Sequence, residues 1–317
     1  MTTTPDIDGN PAAPTVVDSI AALQTAVRRA REAGRVVMLV PTMGALHAGH
    51  ARLIEEARAA DANAFVVVTI FVNPTQFGPS EDFGRYPRTL DDDLDVCARS
   101  GADLVFVPDV EAIYPGGIDR PATTVEPPEA LANVFEGAVR PGHFRGVATV
   151  VLKLFTLVRP DVAYFGRKDY QQLVVIKRMV QDFHLPVEIR EVMTVREPDG
   201  LALSSRNRYL SVEQRRGARV LWQALRAAAT AVSRGERDAD RVRQMMRETI
   251  NSEPLARLDY AEVVAASGLA AIDRLDAGVP AVALVAARVG TTRLIDNVAL
   301  EIEASQRVSQ NPAVTLA

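Results

Sequence analysis

Three observations predict an α/β fold, a Rossmann-like doubly wound parallel sheet with a second, smaller α+β domain at its C-terminal side. Short apolar runs with no polar face, as in strands covered on both sides, recur through the first part of the chain. Segments with helical spacing separate them. After Arg196 the order changes to helices followed by strands.

Taken in order, "RVVMLV" (35–40) is the first clear strand. Pro41, which cannot extend a sheet ladder, and the turn residues Gly44 and Gly49 break it. "ARLIEEARAA" resumes with helical spacing at Leu53, Ile54 and Ala57. "AFVVVTIF" (64–71) reads as a strand, "LDDDLDVCARSG" as a helix and "DLVFVP" as a third strand. "TVVLKLFTLV" is helical, "VAYF" (162–165) a strand, "DYQQLVVIKRMVQDFH" a helix and "VEIREVMTV" a strand. Beyond these, "SVEQRRGARVLWQALRAAATAV" and "DADRVRQMMRETI" are amphipathic helices, and three strands follow. The expected domains are 15–194 and 195–304, with disordered tails at 1–14 and 305–317.

The chain has 317 residues, enough to bury a full core, and its net charge of −4 argues against a general nucleic-acid surface. A small cationic pocket for a phosphorylated ligand is still compatible with that charge. The single cysteine, Cys97, excludes an intrachain disulfide framework and cysteine-rich zinc sites. No run is long and apolar enough to span a bilayer, and the start lacks a secretion signal, so a cytoplasmic location is expected.

The chemistry starts at "PTMGALHAGH" (41–50), where His47 and His50 open a helix just past a strand. In doubly wound folds, ligands sit beyond the carboxyl ends of the strands. Histidines three apart share one side of a helical turn, where both rings can reach one phosphate chain. The spacing does not match a zinc-binding H-E-x-x-H. "FVNPTQF" brings the amides of Asn73 and Gln76, which can read a hydroxyl and a carboxylate, with Phe71, Phe77 and Tyr86 as apolar walls. Asp91, Asp92 and Asp93 could hold magnesium or complement a helix start. In "YFGRKDYQQL" (164–173), Lys168 is one of only three lysines and follows a strand end, where a compact ammonium suits phosphate oxygens. Asp169 could accept from ribose hydroxyls, and Gln172 could face Gln76. Ser204, Ser205 and Arg206 in "LALSSRNRYL" suit a phosphate clamp or, equally, a helix cap with a surface arginine.

The H-x-G-H element resembles the signature of nucleotidylyl transferases and class I aminoacyl-tRNA synthetases. With "IFVNPTQF", "YPRTLDDDL", "RPGHFRGVATVVLKLF", "FGRKDYQQL" and "GLALSSRNRYL" in this order, the chain resembles the pantothenate synthetase (pantoate–β-alanine ligase) family from about Val36 to Leu210. The resemblance implies an ATP-dependent, magnesium-requiring, homodimeric enzyme that adenylates pantoate and then lets the amine of β-alanine displace AMP. It implies ATP contacts at Met43, Gly44, Ala45, Leu46, His47, Ala48, Gly49 and His50. Further ATP contacts fall at Gly166, Arg167, Lys168, Asp169, Val195, Leu203, Ser204, Ser205 and Arg206. Substrate contacts fall at Gln76 and Gln172. Beside them, Met43, Asn73 and Tyr86 are expected at the substrate, and Asp92 and Asp93 at the metal, from the chemistry of the residues themselves. Arg167, Leu203 and Val96 depart from the residues common in the family, and Val96 bears on the magnesium site. Two alternatives stay open here: a nucleotidyltransferase that keeps the nucleotide in its product, and a non-enzymatic nucleotide sensor.

Overall fold

The computed structural model describes residues 13–78, 83–118 and 122–302. The tails expected at 1–14 and 305–317 lie outside these residues, apart from Ala13 and Pro14. Six strands form one sheet: β1 (Thr15–Val17), β2 (Val37–Thr42), β3 (Phe65–Ile70), β4 (Leu104–Phe106), β5 (Val162–Gly166) and β6 (Glu188–Val192). Their order is β1-β4-β3-β2-β5-β6 and every pairing is parallel. The winding reverses between β2 and β5, the position at which such sheets open a crevice.

Burial on both faces explains the unbroken apolar runs. Val37, Leu39, Phe65 and Val67 enter one core with α1 (Ile20–Glu32), α7 (His143–Val158) and α8 (Tyr170–Asp182). The alternate residues Met38, Val40, Val66 and Val68 enter the other, against α2 (Ala48–Ala60) and α3 (Leu90–Ser100). Three short helices, α4 (Val110–Ile113), α5 (Glu129–Ala132) and α6 (Glu136–Val139), lie in the crossover between β4 and α7. Neither β1 nor α1 was expected. α1 does carry a signal, since Ser19 caps it and Leu23, Val27 and Ala30 recur on its buried face.

Pro41 corrects one expectation, because β2 runs through it and pairs it with Thr69. Backbone groups along a strand alternate sides. Thr42 accepts from Phe71 of the β3 side, so the missing N–H of Pro41 faces β5. The β2–β5 ladder ends at Leu39↔Ala163. The proline therefore removes a donor that no longer has a strand to meet.

The C-terminal unit lays α9 (Val212–Ala218), α10 (Val220–Ser233) and α11 (Ala239–Asn251) beside an antiparallel sheet of β7 (Ala256–Ala265), β8 (Ala281–Val289) and β9 (Thr292–Leu300). The long helix read from "SVEQRRG…" is two helices, broken at Arg219. Leu221, Leu225, Met246, Ile250, Val263 and Val285 form its own core. Where the chain enters the C-terminal unit, the Arg196 guanidinium lies 3.7 Å from the centroid of the Trp222 ring and pairs with Asp296 at 2.6 Å, which ties the connecting segment to this unit. Polar contacts seat the unit on the first one. Tyr260 donates to Glu136 at 2.9 Å, and Arg293 pairs with the same carboxylate.

Candidate active site

Gly44 and Ala45, with φ of 80° and 51°, turn the chain sharply after β2 and deliver His47 to the N-cap of α2. The two histidines cap this helix reciprocally. His47 Nδ1 accepts from the Gly49 amide at 3.1 Å, and His50 Nδ1 accepts from the His47 amide at 3.3 Å. A ring nitrogen that accepts carries no proton, which assigns the proton of each neutral ring to Nε2. Burial, with Lys168 nearby, lowers the His47 pKa to about 4. Burial and the neighbouring His47 lower that of His50 to about 3. The rings, with centroids 4.1 Å apart, are therefore neutral Nε2–H donors near pH 7.

Beyond β3, Asn73 is buried and fully engaged. Its amide donates to Gln76 Oε1 at 3.0 Å and to the Gly146 carbonyl at 3.2 Å. Its oxygen accepts from Thr75 and, at 2.8 Å, from Tyr114. Asn73 thus holds Gln76 and has no group left for a substrate. Gly146 lets α7 approach this turn, because a Cβ there would overlap the Thr75 carbonyl. Gln76 Nε2 reaches Met43 Sδ at 3.1 Å. Tyr86 meets Phe77 edge to face, with ring centroids 5.9 Å apart.

At the end of β5, Lys168 Nζ stands 3.5 Å from Asp169 Oδ1. Burial pushes the Asp169 carboxyl up, but Lys168 and Arg206 outweigh it and leave the acid below its ordinary range. The Arg167 guanidinium turns away, toward Glu191 at 3.2 Å, so this residue can offer a nucleotide only its backbone. Gln172 has no hydrogen bond from its side chain among the described residues. Gln171, by contrast, is spent on the Leu131 and Val134 carbonyls. The 203–206 segment is tied to Val195 by the Leu203 amide at 3.0 Å, and Ser204 caps the turn that carries Arg206.

These elements enclose a cavity of about 250 Å³, lined by Met43, His47, Gly49, His50, Asn73, Gln76, Tyr86, Gly166, Lys168, Asp169, Gln172, Val195, Leu203, Ser204, Ser205 and Arg206. It adjoins a cleft of about 820 Å³ between the two units, which shares Lys168, Asp169, Gln172, Ser204 and Arg206. Gly44, Ala45, Leu46, Ala48 and the acidic run are not on its wall. Asp92 is exposed and Asp93 is buried against the loop. Among the described residues, no three His, Cys, Asp or Glu side chains are placed to hold a metal.

Sequence reasoning missed Arg140 and His143, which line both spaces. His143 Nδ1 lies 2.9 Å from the Gln76 carbonyl, so it donates there and leaves Nε2 to accept from Arg140 at 3.0 Å. The only available signal was a histidine and an arginine flanking Gly142 and Pro141, a turn with two polar groups.

A doubly wound sheet with paired histidines and a lysine around a cleft beyond its strand ends defines a nucleotide-using α/β enzyme. The profile of the pantoate–β-alanine ligase family matches residues 15–299, and the chain belongs to that family. It is 52% identical over 287 residues to a pantothenate synthetase of Moorella thermoacetica, covering 90% of this chain and 99% of that one. A Chloroflexus aurantiacus pantothenate synthetase is 55% identical over 276 residues, covering 87% and 96%. A crystal structure of the Thermus thermophilus pantothenate synthetase aligns with a TM-score of 0.83 at 48% identity, covering 90% and 98%. The Francisella tularensis pantoate–β-alanine ligase, solved with β,γ-ATP and β-alanine, aligns with a TM-score of 0.73 at 34% identity, covering 92% and 99%. The sensor reading falls, because the chain is an enzyme of this family.

Proposed function

We propose that the chain joins pantoate and β-alanine to make pantothenate, using ATP in two steps at the cavity described above. One observation carries this reading. Two amides suited to a small hydroxy acid, Gln76 and Gln172, share a cavity wall with His47, His50, Lys168 and Arg206. In the first step the pantoate carboxylate attacks the α-phosphate of ATP and pyrophosphate leaves. In the second, the amine of β-alanine attacks the acyl carbon and AMP leaves.

Negative charge grows on phosphate oxygens in the first step, so prepositioned donors matter most there. The Nε2–H groups of His47 and His50, the Lys168 ammonium and the Arg206 guanidinium supply them, with Ser204 and Ser205 as neutral donors. Asp169 both orients Lys168 and can accept from ribose hydroxyls. Gln76 and Gln172 hold pantoate between Met43 and Tyr86, and Asn73 fixes Gln76. The acyl adenylate must be kept from water, which the C-terminal unit does by covering the cleft.

Magnesium accompanies ATP in this reading through phosphate oxygens and water, the usual mode for this ion. The Asp92–Asp93 pair does not fit it, since one carboxylate is exposed and the other is turned into the fold. Homodimeric assembly and a cytoplasmic location belong to the proposal through the family resemblance. No described helix is long and apolar enough to cross a membrane.

The test is isotope exchange of pyrophosphate into ATP. Exchange is expected with pantoate alone and should vanish when pantoate is omitted. β-Alanine should then drain the intermediate and release AMP. A strict requirement for β-alanine in the exchange would replace two steps by a concerted ligation. Pyrophosphate release without AMP would favour the nucleotide-retaining transferase.

A further inference from the structure

The loop between β2 and α2 leaves little of its backbone free for a ligand. The Gly44 amide donates to Thr42 Oγ1 at 3.2 Å, and the amides of His47 and Gly49 donate to the histidine rings. The two amides between them converge on one side chain from another element. Asp93, in the first turn of α3, accepts from Leu46 at 2.7 Å and from Ala45 at 3.0 Å. Thr89 Oγ1 adds a third donor at 3.3 Å.

Successive backbone amides in a tight turn can point toward one place, and such a concavity binds an anion. Here Gly44 and Ala45 make the turn, and the anion is the protein's own. Asp93 is 1% exposed, whereas Asp91 and Asp92 on the same turn are exposed. A Cβ on Gly44 would lie 3.0 Å from Asp93 Oδ2, so the carboxylate sits directly beneath the loop. Cys97, one turn further along α3, is fully buried and anchors that face of the helix in the core.

We propose that Asp93 is a positioning residue that sets the nucleotide loop by filling its backbone concavity, and that it is not a magnesium ligand. The loop then offers ATP the histidine side chains rather than a cradle of amides. The direction of His47 and His50 depends on a carboxylate that never meets the substrate. This inference rests on the reading of the loop as an ATP-binding element.

The experiment compares the parent with Asp93→Asn, which keeps the shape but turns one acceptor into a donor facing an amide. Amide hydrogen exchange at Ala45 and Leu46 is followed without ligand, and kcat, the KM for ATP and the magnesium midpoint at saturating ATP are measured. Exchange should quicken about tenfold or more, the KM for ATP should rise several-fold, and the magnesium midpoint should not move. Unchanged exchange overturns the proposal, as does a raised magnesium midpoint with an unchanged KM for ATP. Faster exchange with unaltered kcat and KM would overturn instead the loop's part in ATP binding, on which the proposal stands. If Asp93→Asn fails to fold, Gly44→Ala approaches the same contact from the loop side, and the same readouts decide.

Discussion

Two loops present donors to one cavity, and they are held in opposite ways. The loop after β2 is fixed within its own unit, by Thr42, Asp93 and the reciprocal caps of its histidines. The loop after β5 is fixed from outside. Asn297, on β9 of the C-terminal unit, donates to the carbonyls of Arg167 and Lys168, each at 2.9 Å. The first loop draws its support only from its own unit, whereas the second depends also on a side chain of the C-terminal unit.

The sharpest way to break this contrast is to remove a donor from each loop. His50→Ala should lower kcat by about 10²–10³, the usual cost of one donor to developing charge, with ATP affinity nearly kept. Lys168→Ala should match it, and Lys168→Arg should be almost as damaged, because a forked guanidinium misses what a compact ammonium reaches. Steady-state kinetics with binding calorimetry decide both, and a fully active arginine variant would reduce Lys168 to diffuse charge.

Gln172→Ala should raise the KM for pantoate roughly 10- to 100-fold, the loss of one hydrogen bond to a charged group, at about 1.5–3 kcal/mol. ATP binding should stay near the parent's, and an equal loss of both would place Gln172 at the nucleotide. Asn297→Ala should cost less, about tenfold in kcat. Hydrogen exchange should rise around Lys168 and not around His50. A rise in both loops would erase the distinction drawn between them.

A last effect is on stability rather than on rate. An unfolded chain protonates its histidines near pH 6.5, whereas the folded rings wait until about 4 and about 3. The unfolded form therefore binds more protons between those values. Stability should be full above pH 6.5 and fall as the pH drops toward 4, by at most about 1.4 kcal/mol per pH unit for each ring. Urea unfolding at pH 7 and 5 measures the slope, and His50→Gln should flatten it.

Much of this was legible in the residues, for reasons that differ from place to place. The runs at β2 and β3 announce a doubly covered sheet because no face of either strand meets water. His47, His50, Lys168 and Gln172 stand next to strand ends, where local order already marks ligand positions. Asn297 could not be read that way, since its partners lie 129 and 130 residues away. Asp93 looked like its neighbours in an acidic helix start, and only the packing of α3 turns it inward. β1 is a three-residue edge strand, too short to carry a pattern. Asn73 was read for its chemistry, but burial gave that chemistry to Gln76, Gly146, Thr75 and Tyr114.

Pro41 has a consequence for the wall of the cavity. Above Leu39, β2 and β5 share no rungs, and the next backbone site on β2 that faces β5 lacks a hydrogen. Where the strands part, an ordinary residue would leave a backbone N–H without a partner, and the proline leaves none. The wall between the histidine loop and the lysine loop, which Pro41 lines, thus begins where the ladder ends and carries no orphaned donor there.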